Sequence, residues 1–234
     1  MKKTIRLASR FLLCSIVAVS LSGCGDDDKN DDPKPKGTDD PPSDVIIPEG
    51  FVDLGLSVFW AECNIGAENP EDYGKYYAWG EIAEKESFDE KNSQWYNVSD
   101  QELKAQGVVD GNGILSATYD VATQILGSAY RMPTKKEFQE LKDDCTWTWE
   151  KQNEVSGYKI VGKNGNYIFL PAGGFYSGSY LENSIAYGYY WTSTEEESNV
   201  SSREMQFNSA TAQCMNNSRS YGLTVRAVAP KSNK

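Results

Sequence analysis

The chain has 234 residues, 39% of them hydrophobic and 12% aromatic, which is enough for one folded domain and excludes a wholly disordered chain. Its formal net charge is −11 and it contains no histidine. Ser-His and Cys-His catalytic pairs and imidazole metal ligands are therefore excluded. The acidic balance also lacks the basic footprint of nucleic-acid-binding proteins, so no nucleic-acid partner is expected.

The amino terminus has the pattern of a secretory signal, predicted over residues 1–23. Four cationic residues precede the apolar run 11–21, which is too short to span the hydrocarbon core as a helix. The run ends in Leu21-Ser22-Gly23-Cys24, which resembles a bacterial lipobox. Cys24 is therefore the predicted lipid-attachment residue. The alternative is an ordinary signal cleaved nearby, which would leave Cys24 as a thiol.

Residues 24–45 are predicted to form an acidic, disordered tether, because they are rich in Asp, Lys and Pro and almost free of apolar residues. Acidic residues directly after a lipidated cysteine also resemble the export signal of surface lipoproteins in the Bacteroidetes. A merely solvated linker is the alternative. The expected location is the outer membrane, with attachment through the lipid anchor and exposure at the cell surface.

The folded domain is predicted over residues 46–234, since all six Trp and all fourteen Tyr lie in it. Apolar residues alternate from Val52 to Trp60, which predicts one half-buried strand. A second alternating stretch, from Leu223 to Ala227, is its predicted partner.

Two helices are predicted. The first runs over residues 117–126, buries Val121, Ala122 and Ile125, and ends at Gly127 in a left-handed conformation. The second follows Thr134, which with Glu137 resembles a capping box. Its predicted buried face is formed by Phe138, Leu141 and Cys145.

Further strands follow the second helix. Asn164-Gly165 lies between residues 158–161 and 167–170, a pattern typical of a β-hairpin with a type I′ turn. Two more strands are predicted over residues 189–194 and 203–208. Trp147 and Trp149 point the same way in a predicted strand, where they fill the core or stack on sugar rings. Two helices among short antiparallel strands predict an α+β fold.

Six segments of this domain resemble the Fibrobacter succinogenes major paralogous domain family, in the family's order. They are DLGLSVFWA at 53–61, YGKYYAWGE at 73–81, RMPT at 131–134, LPAGG at 170–174, YYWTST at 189–194 and YGLTVR at 221–226. The resemblance implies a C-type-lectin-like fold, related to that of the formylglycine-generating enzymes. It carries over no catalytic residue, and no cofactor is expected. The Glu-Pro-Asn and Trp-Asn-Asp motifs of calcium-dependent lectins do not occur.

Three cysteines remain in the folded domain. One disulfide is the usual expectation for an exported domain, and Cys63 with Cys145 is the preferred pair because both lie in segments that resemble the family pattern. Cys214 is then a buried or tolerated thiol. A nucleophilic role would need a cationic setting, and only Arg219 lies nearby in the sequence.

Two acidic segments are candidate ion or catalytic sites. Asp110-Gly111-Asn112-Gly113 resembles the start of a calcium loop, but no acidic residue stands at the twelfth position, so a turn is the plainer interpretation. Glu195, Glu196 and Glu197 resemble paired carboxylates or a cation site, with a solvated patch as the alternative. No metal site and no catalytic site is predicted.

Tyr176, Tyr180 and Tyr187 are the candidate ligand-binding residues, because they lie in a Gly/Ser-rich stretch where no periodicity demands burial. The sequence thus favours a non-catalytic surface lipoprotein that binds a glycan or protein. The alternatives are an accessory subunit of a fimbria or adhesin assembly and, less favoured, an enzyme related to the formylglycine-generating fold.

Overall fold

The computed structural model describes residues 46–231, which form one compact unit. The predicted signal (1–23), the tether (24–45) with Cys24, and the last three residues lie outside the described residues. Within 46–231, no helix combines the length and the apolar composition that a membrane span requires.

The domain is α+β, as predicted, with mostly antiparallel strands in small sheets and three short helices in the described part of the chain. The helices are α1 Asp100–Ala105, α2 Val121–Leu126 and α3 Lys135–Asp144. The strands are β1 Phe51–Val52, β2 Val58–Asn64, β3 Thr146–Gln152, β4 Val155–Val161, β5 Tyr167–Pro171, β6 Phe175–Ser177, β7 Tyr180–Glu182, β8 Tyr187–Glu195, β9 Ser201–Asn208, β10 Ala212–Ser218 and β11 Arg226–Pro230. The sheets have the orders β1-β2-β11, β10-β9-β8, β3-β4-β5 and β6-β7.

The single strand predicted from Val52 to Trp60 is wrong, because Gly55 adopts a φ of 77° and reverses the chain. β1 therefore pairs back on β2, with Val52 opposite Trp60. Leu54 and Leu56 are nevertheless buried, as their alternation indicated. The predicted partner strand begins slightly later in the chain than expected. It is β11, which pairs with β2 and places Val228 opposite Trp60.

The helix predictions were partly confirmed. Thr134 caps α3, and the capping box with Glu137 is present. Phe138 and Leu141 are fully buried, whereas Cys145 lies just beyond the helix end. α2 is shorter than predicted, because the Asp120 side chain caps it by accepting a hydrogen bond from the Thr123 amide.

Two details of the α2 prediction were wrong. Ile125 is half exposed rather than buried, so only Val121 and Ala122 form the buried side of this short helix. Gly127 ends the helix with φ 103° and ψ 169°, which has a positive φ but is not the left-handed helical conformation. α1 was not predicted.

The hairpin of β4 and β5 was confirmed, but its turn is different. Only Gly165 has a positive φ, 87°, and the amide of Gly162 bonds to the carbonyl of Asn166. This is a three-residue loop with glycine in the left-handed position, whereas a type I′ turn needs positive φ at two central residues.

The sheet of β8, β9 and β10 separates two core clusters. Alternate residues of β8 point into each: Trp191 packs with Trp79 and Trp95 on one side, and Tyr190 packs with Trp60 and Phe138 on the other. The predicted strand 189–194 lies within β8, and the predicted strand 203–208 forms the carboxyl-terminal part of β9. α3 covers the Tyr190 side of this sheet.

Trp147 and Trp149 are confirmed as neighbours on one face of β3, where they pack on the second core cluster. Their rings contact Tyr158 edge-on, with centroids 5.1 and 5.2 Å away, and also approach Phe207. Core packing is therefore the role that the structure gives them.

Candidate functional site

The three candidate tyrosines do not form one surface. In the β6–β7 hairpin, Tyr176 lies opposite Leu181 and Ser177 lies opposite Tyr180. Since residues directly opposite share a face and successive residues alternate, Tyr176 and Tyr180 point to opposite sides of the hairpin. Tyr176 and Tyr180 therefore do not contribute to one binding face.

Tyr187 lies on the Tyr180 side. Its ring stacks on Tyr189 with centroids 5.9 Å apart, and Tyr189 packs on Phe175, the residue of β6 that points away from the Tyr176 side. Tyr187 is half-buried against the first core cluster, whereas Tyr180 is 76% exposed. Tyr187 therefore contributes mainly to packing, and Tyr180 stands alone in solvent.

Tyr176 is part of a cleft that joins distant parts of the chain. We call it the aromatic cleft. It has a volume of about 500 Å³ and lies between the segment 74–88 and the β6–β7 hairpin. Its lining residues are Gly74, Lys75, Tyr76, Glu84, Lys85, Glu86, Phe88, Tyr176 and Ser179. The volume is within the range of small-molecule binding sites.

Three aromatic rings form the wall of the cleft. Tyr176 meets Tyr76 edge-to-face, with centroids 4.8 Å apart and planes at 83°, and meets Phe88 at 5.8 Å. Phe88 is buried, while the two tyrosines are half-buried and contribute open ring surface. The arrangement gives the cleft a rigid apolar wall.

Backbone pairing holds these rings in place. Phe88 and Gly178 exchange hydrogen bonds of 2.8 Å, and Tyr176 and Gly222 exchange bonds of 2.8 and 2.9 Å. Gly178 has a φ of 57° at the first central position of the two-residue turn between β6 and β7, where glycine is favoured. A Cβ at Gly222 would lie 2.8 Å from the Phe88 ring, so glycine is needed there for close packing.

The hydroxyl of Tyr76 is committed to the structure. It donates a 2.6 Å hydrogen bond to the carbonyl of Gly173, and burial raises the pKa of this phenol far above its ordinary value. Tyr76 therefore remains protonated and fixed, and it acts as a wall of the cleft rather than as an acid or base.

The charges at the rim of the cleft are paired or acidic. Lys75 forms a 2.9 Å ion pair with Glu84, and Lys85 forms a 2.5 Å ion pair with the buried Glu81. Lys85 also donates to the carbonyl of Asn92 at 2.6 Å. Glu86 is exposed and has no ion-pair partner among the described residues. This rim offers no uncommitted cation to an anionic ligand.

The acidic segments have structural contacts. Asp110 Oδ1 accepts hydrogen bonds from the amides of Asn112 and Ile114 at 2.8 and 3.0 Å, which confirms a turn at this loop. Glu195 pairs with Lys104 at 3.1 Å, Glu196 pairs with Arg203, and Glu197 is exposed. The three glutamates therefore are neither one solvated patch nor a pair of facing carboxylates. Within residues 46–231, no three Asp, Glu or Cys side chains are grouped to hold a metal ion.

The predicted disulfide is absent from the structure: Cys63, Cys145 and Cys214 are all free thiols. Cys63 lies in β2 near Arg226, while Cys145 lies at the end of α3 near Asp144 and Lys163, so the two thiols have different surroundings. Burial raises the pKa of all three thiols, that of Cys145 to about 11. None of them has the lowered pKa of a reactive cysteine.

The structure also buries a carboxyl group that the sequence analysis did not single out. Glu204 in β9 is 1% exposed, and burial raises its pKa to about 8. Asn217 donates a 3.1 Å hydrogen bond to its Oε2. The alternation of β9 places Glu204 away from Met205 and Phe207, which could have indicated its face but not its burial.

Comparison with known proteins identifies one match. A family model described as a domain of unknown function (DUF8237) matches residues 131–228. This stretch includes Tyr176 and Ser179 but not the 74–88 side of the aromatic cleft. Comparisons with curated proteins and with solved structures returned no match.

Proposed function

We propose that this protein is a lipid-anchored surface protein whose C-type-lectin-like domain recognises a neutral glycan in the aromatic cleft, without catalysis. The observation that carries the proposal is the aromatic wall of Tyr76, Tyr176 and Phe88 beside a cleft of about 500 Å³. Aromatic faces suit the apolar C–H faces of sugar rings, and nearby polar groups suit their hydroxyls.

The rim charges favour a neutral ligand. The two lysines are engaged by Glu84 and Glu81, and Glu86 adds a negative charge beside them. An anionic sugar or an acidic peptide would meet this carboxylate without an uncommitted cation to compensate. A neutral saccharide gains the aromatic contact and avoids that repulsion.

The surface location is supported by the lipobox-like sequence at Leu21-Ser22-Gly23-Cys24 and by the acidic residues after it. An acidic domain is not attracted to anionic lipid headgroups, so membrane attachment would rest on the acyl chains at Cys24. The C-type-lectin-like assignment is supported by the six ordered segments of the sequence resemblance.

Screening neutral oligosaccharides against the purified protein, followed by calorimetry on any that bind, tests the cleft. Tyr176→Ala should weaken binding roughly five- to tenfold, since a stacking contact of about 1–1.5 kcal/mol is lost. Tyr176→Phe keeps the ring and should retain most of the affinity. Tyr180→Ala is the matched control, because its ring points to the other side of the hairpin.

Two results would contradict this assignment. Unchanged affinity in Tyr176→Ala would remove the cleft from the binding site, and loss of affinity only in Tyr180→Ala would move the site to the other side of the hairpin. Preference for sialylated or sulfated sugars over neutral ones would contradict the inferred ligand class.

The anchoring proposal is tested separately in cells. Protease treatment of intact cells should remove the domain from the native protein. The Cys24→Ser variant should no longer be found in the membrane fraction. It should also no longer be labelled by a metabolically incorporated fatty acid. Survival of the domain until the outer membrane is permeabilised would place it inside the envelope and overturn surface display.

A further inference from the structure

A second cavity lies near the first described residues, between β1, the end of β2 and the end of α2. We call it the entry groove. It has a volume of about 370 Å³ and shares no lining residue with the aromatic cleft. Its apolar lining is formed by Phe51, Ala61, Ile65, Ala67 and Leu126. The groove is therefore a separate site with an apolar surface of its own.

The walls of the entry groove are held by contacts within the domain. The amide of Glu62 donates a 2.8 Å hydrogen bond to the carbonyl of Gly50, which joins the segment before β1 to β2. The ring of Phe51 stacks on Tyr130, with centroids 4.9 Å apart. Leu126 is the last residue of α2 and is 40% exposed. The groove is thus formed before any ligand arrives, as in most binding sites.

Three carboxylates border this apolar surface. Glu49, Glu62 and Glu68 all line the groove and are all exposed. None of the ion pairs formed within residues 46–231 involves them. At the aromatic cleft, by contrast, Glu84 is neutralised by a lysine. The entry groove therefore presents three uncompensated negative charges around an apolar surface.

The nearest cations are already engaged. The stem of Lys75 lies over Gly66, but its ammonium group forms a 2.9 Å ion pair with Glu84. Arg226 lies beneath the groove and is 0% exposed, and its guanidinium donates to the carbonyl of Glu62 at 2.7 Å. This one buried charge offsets only part of the three carboxylates, and a ligand cannot displace it.

The lining indicates the chemistry of the occupant. An apolar side chain would cover the surface at Phe51 and Leu126, and cations on either side of it would face the carboxylates. The aliphatic stems of Lys and Arg would extend the apolar contact. The acidic segment 24–45 of the same chain lacks this complementarity, and a second copy, with a net charge of −11, also fits less well.

We propose that the entry groove binds a partner protein through an exposed apolar side chain that is flanked by Lys or Arg. The apolar contact anchors the partner, and the three carboxylates select the basic flanks. This interaction is independent of ligand binding at the aromatic cleft, because the two sites have no lining residue in common.

The test uses the purified protein and three blocked peptides with the central sequences Lys-Leu-Lys, Glu-Leu-Glu and Lys-Gly-Lys. In NMR titrations the Lys-Leu-Lys peptide should shift the amide signals of Gly66, Ala67 and Leu126. The Glu-Leu-Glu peptide should shift none of them, and Lys-Gly-Lys should bind more weakly. No shift with Lys-Leu-Lys, or equal shifts with any two of the three peptides, would overturn the proposal.

Variants test the charges of the groove. Glu62→Gln and Glu68→Gln should each weaken Lys-Leu-Lys binding roughly two- to fivefold, because each removes one exposed charge. Glu182→Gln is the matched control, since it neutralises an exposed acid of β7 outside the groove. Equal affinities in all three variants would contradict a role for the groove carboxylates.

A second pair of variants tests the apolar contact. Leu126→Ala should weaken Lys-Leu-Lys binding roughly three- to tenfold, because apolar surface buried by the peptide is lost. Ile125→Ala is the control, since Ile125 is 50% exposed on the same helix and does not line the groove. Equal losses in the two variants would contradict the site.

Two further measurements address other occupants. Sedimentation of the unliganded protein should show a monomer, and a dimer that Leu126→Ala dissociates would assign the groove to a second copy. A change in the amide shifts of residues 24–45 in Leu126→Ala but not in Ile125→Ala would assign it to the same chain. Either of these results would overturn the partner proposal.

Discussion

Arg226 Nε donates a 2.8 Å hydrogen bond to Asn64 Oδ1, joining two buried side chains of the neighbouring strands β11 and β2. The same guanidinium donates to the carbonyls of Ala61, Glu62 and Phe169 at 3.0, 2.7 and 2.8 Å. Its planar array of donors thus connects β11 with both β2 and β5, which a flexible ammonium group cannot reproduce.

Arg226→Met should lower the free energy of unfolding by at least about 3 kcal/mol, because three buried acceptors and one partly buried acceptor lose their donor. Arg226→Lys should recover only part of this. The measurement is urea unfolding followed by Trp fluorescence. Arg203→Met is the control, since Arg203 is partly exposed and its ion pair with Glu196 should contribute less than about 1 kcal/mol. Equal losses in the two Met variants would show that the buried hydrogen bonds of Arg226 contribute no more to stability than a surface ion pair.

Glu204 should make stability fall with rising pH. In the folded chain burial raises the pKa of this carboxyl from 4.5 to about 8. Between these values the folded chain holds a proton that the unfolded chain has released, so the free energy of unfolding decreases as pH rises. This single group contributes about 1 kcal/mol per pH unit, and its effect ends above pH 8.

Glu204→Gln cannot ionise and still accepts the hydrogen bond from Asn217. It should therefore be more stable than the native protein at pH 8 and similar to it near pH 4.5. Urea midpoints at pH 5, 6.5 and 8 measure the difference. Parallel profiles for the two proteins would show that Glu204 is ionised in the folded state.

Asp120 should matter far more than Asp110, although both accept two backbone hydrogen bonds. Asp120 is 2% exposed and bonds to the amides of Thr123 and Met132 at 3.0 and 2.8 Å. Asp120→Ala leaves both amides without this acceptor and should cost about 2–4 kcal/mol. Asp110→Ala exposes its amides to water and should cost under about 1 kcal/mol. Chemical denaturation of both variants measures the difference.

The thiols provide a check on covalent structure. Alkylation of the denatured, unreduced protein followed by peptide mapping should label Cys63, Cys145 and Cys214 alike. In the native protein at pH 8 labelling should be slow, because burial raises the pKa of each thiol and leaves little thiolate. A crosslinked peptide containing Cys63 and Cys145 would restore the original disulfide prediction.

Local sequence patterns correctly predicted the elements that depend on residues only a few positions apart in the chain. The capping box at Thr134 and Glu137 depends on residues three apart, and it was confirmed. The Asn164-Gly165 pair located a hairpin, but the turn type also depends on where the flanking ladder ends, which is set by pairing with the neighbouring strands.

The aromatic cleft was only partly predictable. Tyr176 was singled out from its Gly/Ser-rich surroundings, but Tyr76 and Phe88 come from distant segments. Phe88 is held by its backbone bridge to Gly178, and Tyr76 by the bridge of the next residue, Tyr77, to Leu223. Nothing in the local pattern of either residue specifies those contacts. The same limit explains why Tyr180 was grouped with Tyr176: strand boundaries in the hairpin decide which side each ring faces.

The adjacency of β2 and β11 has a consequence for biogenesis. The first long strand of the domain needs the last one to complete its sheet, so a chain threaded from its amino terminus cannot finish folding until residues 226–230 have emerged. The growing polypeptide thus cannot complete this sheet before its β11 segment is available. Loss of those few residues should cost the whole domain rather than only its end.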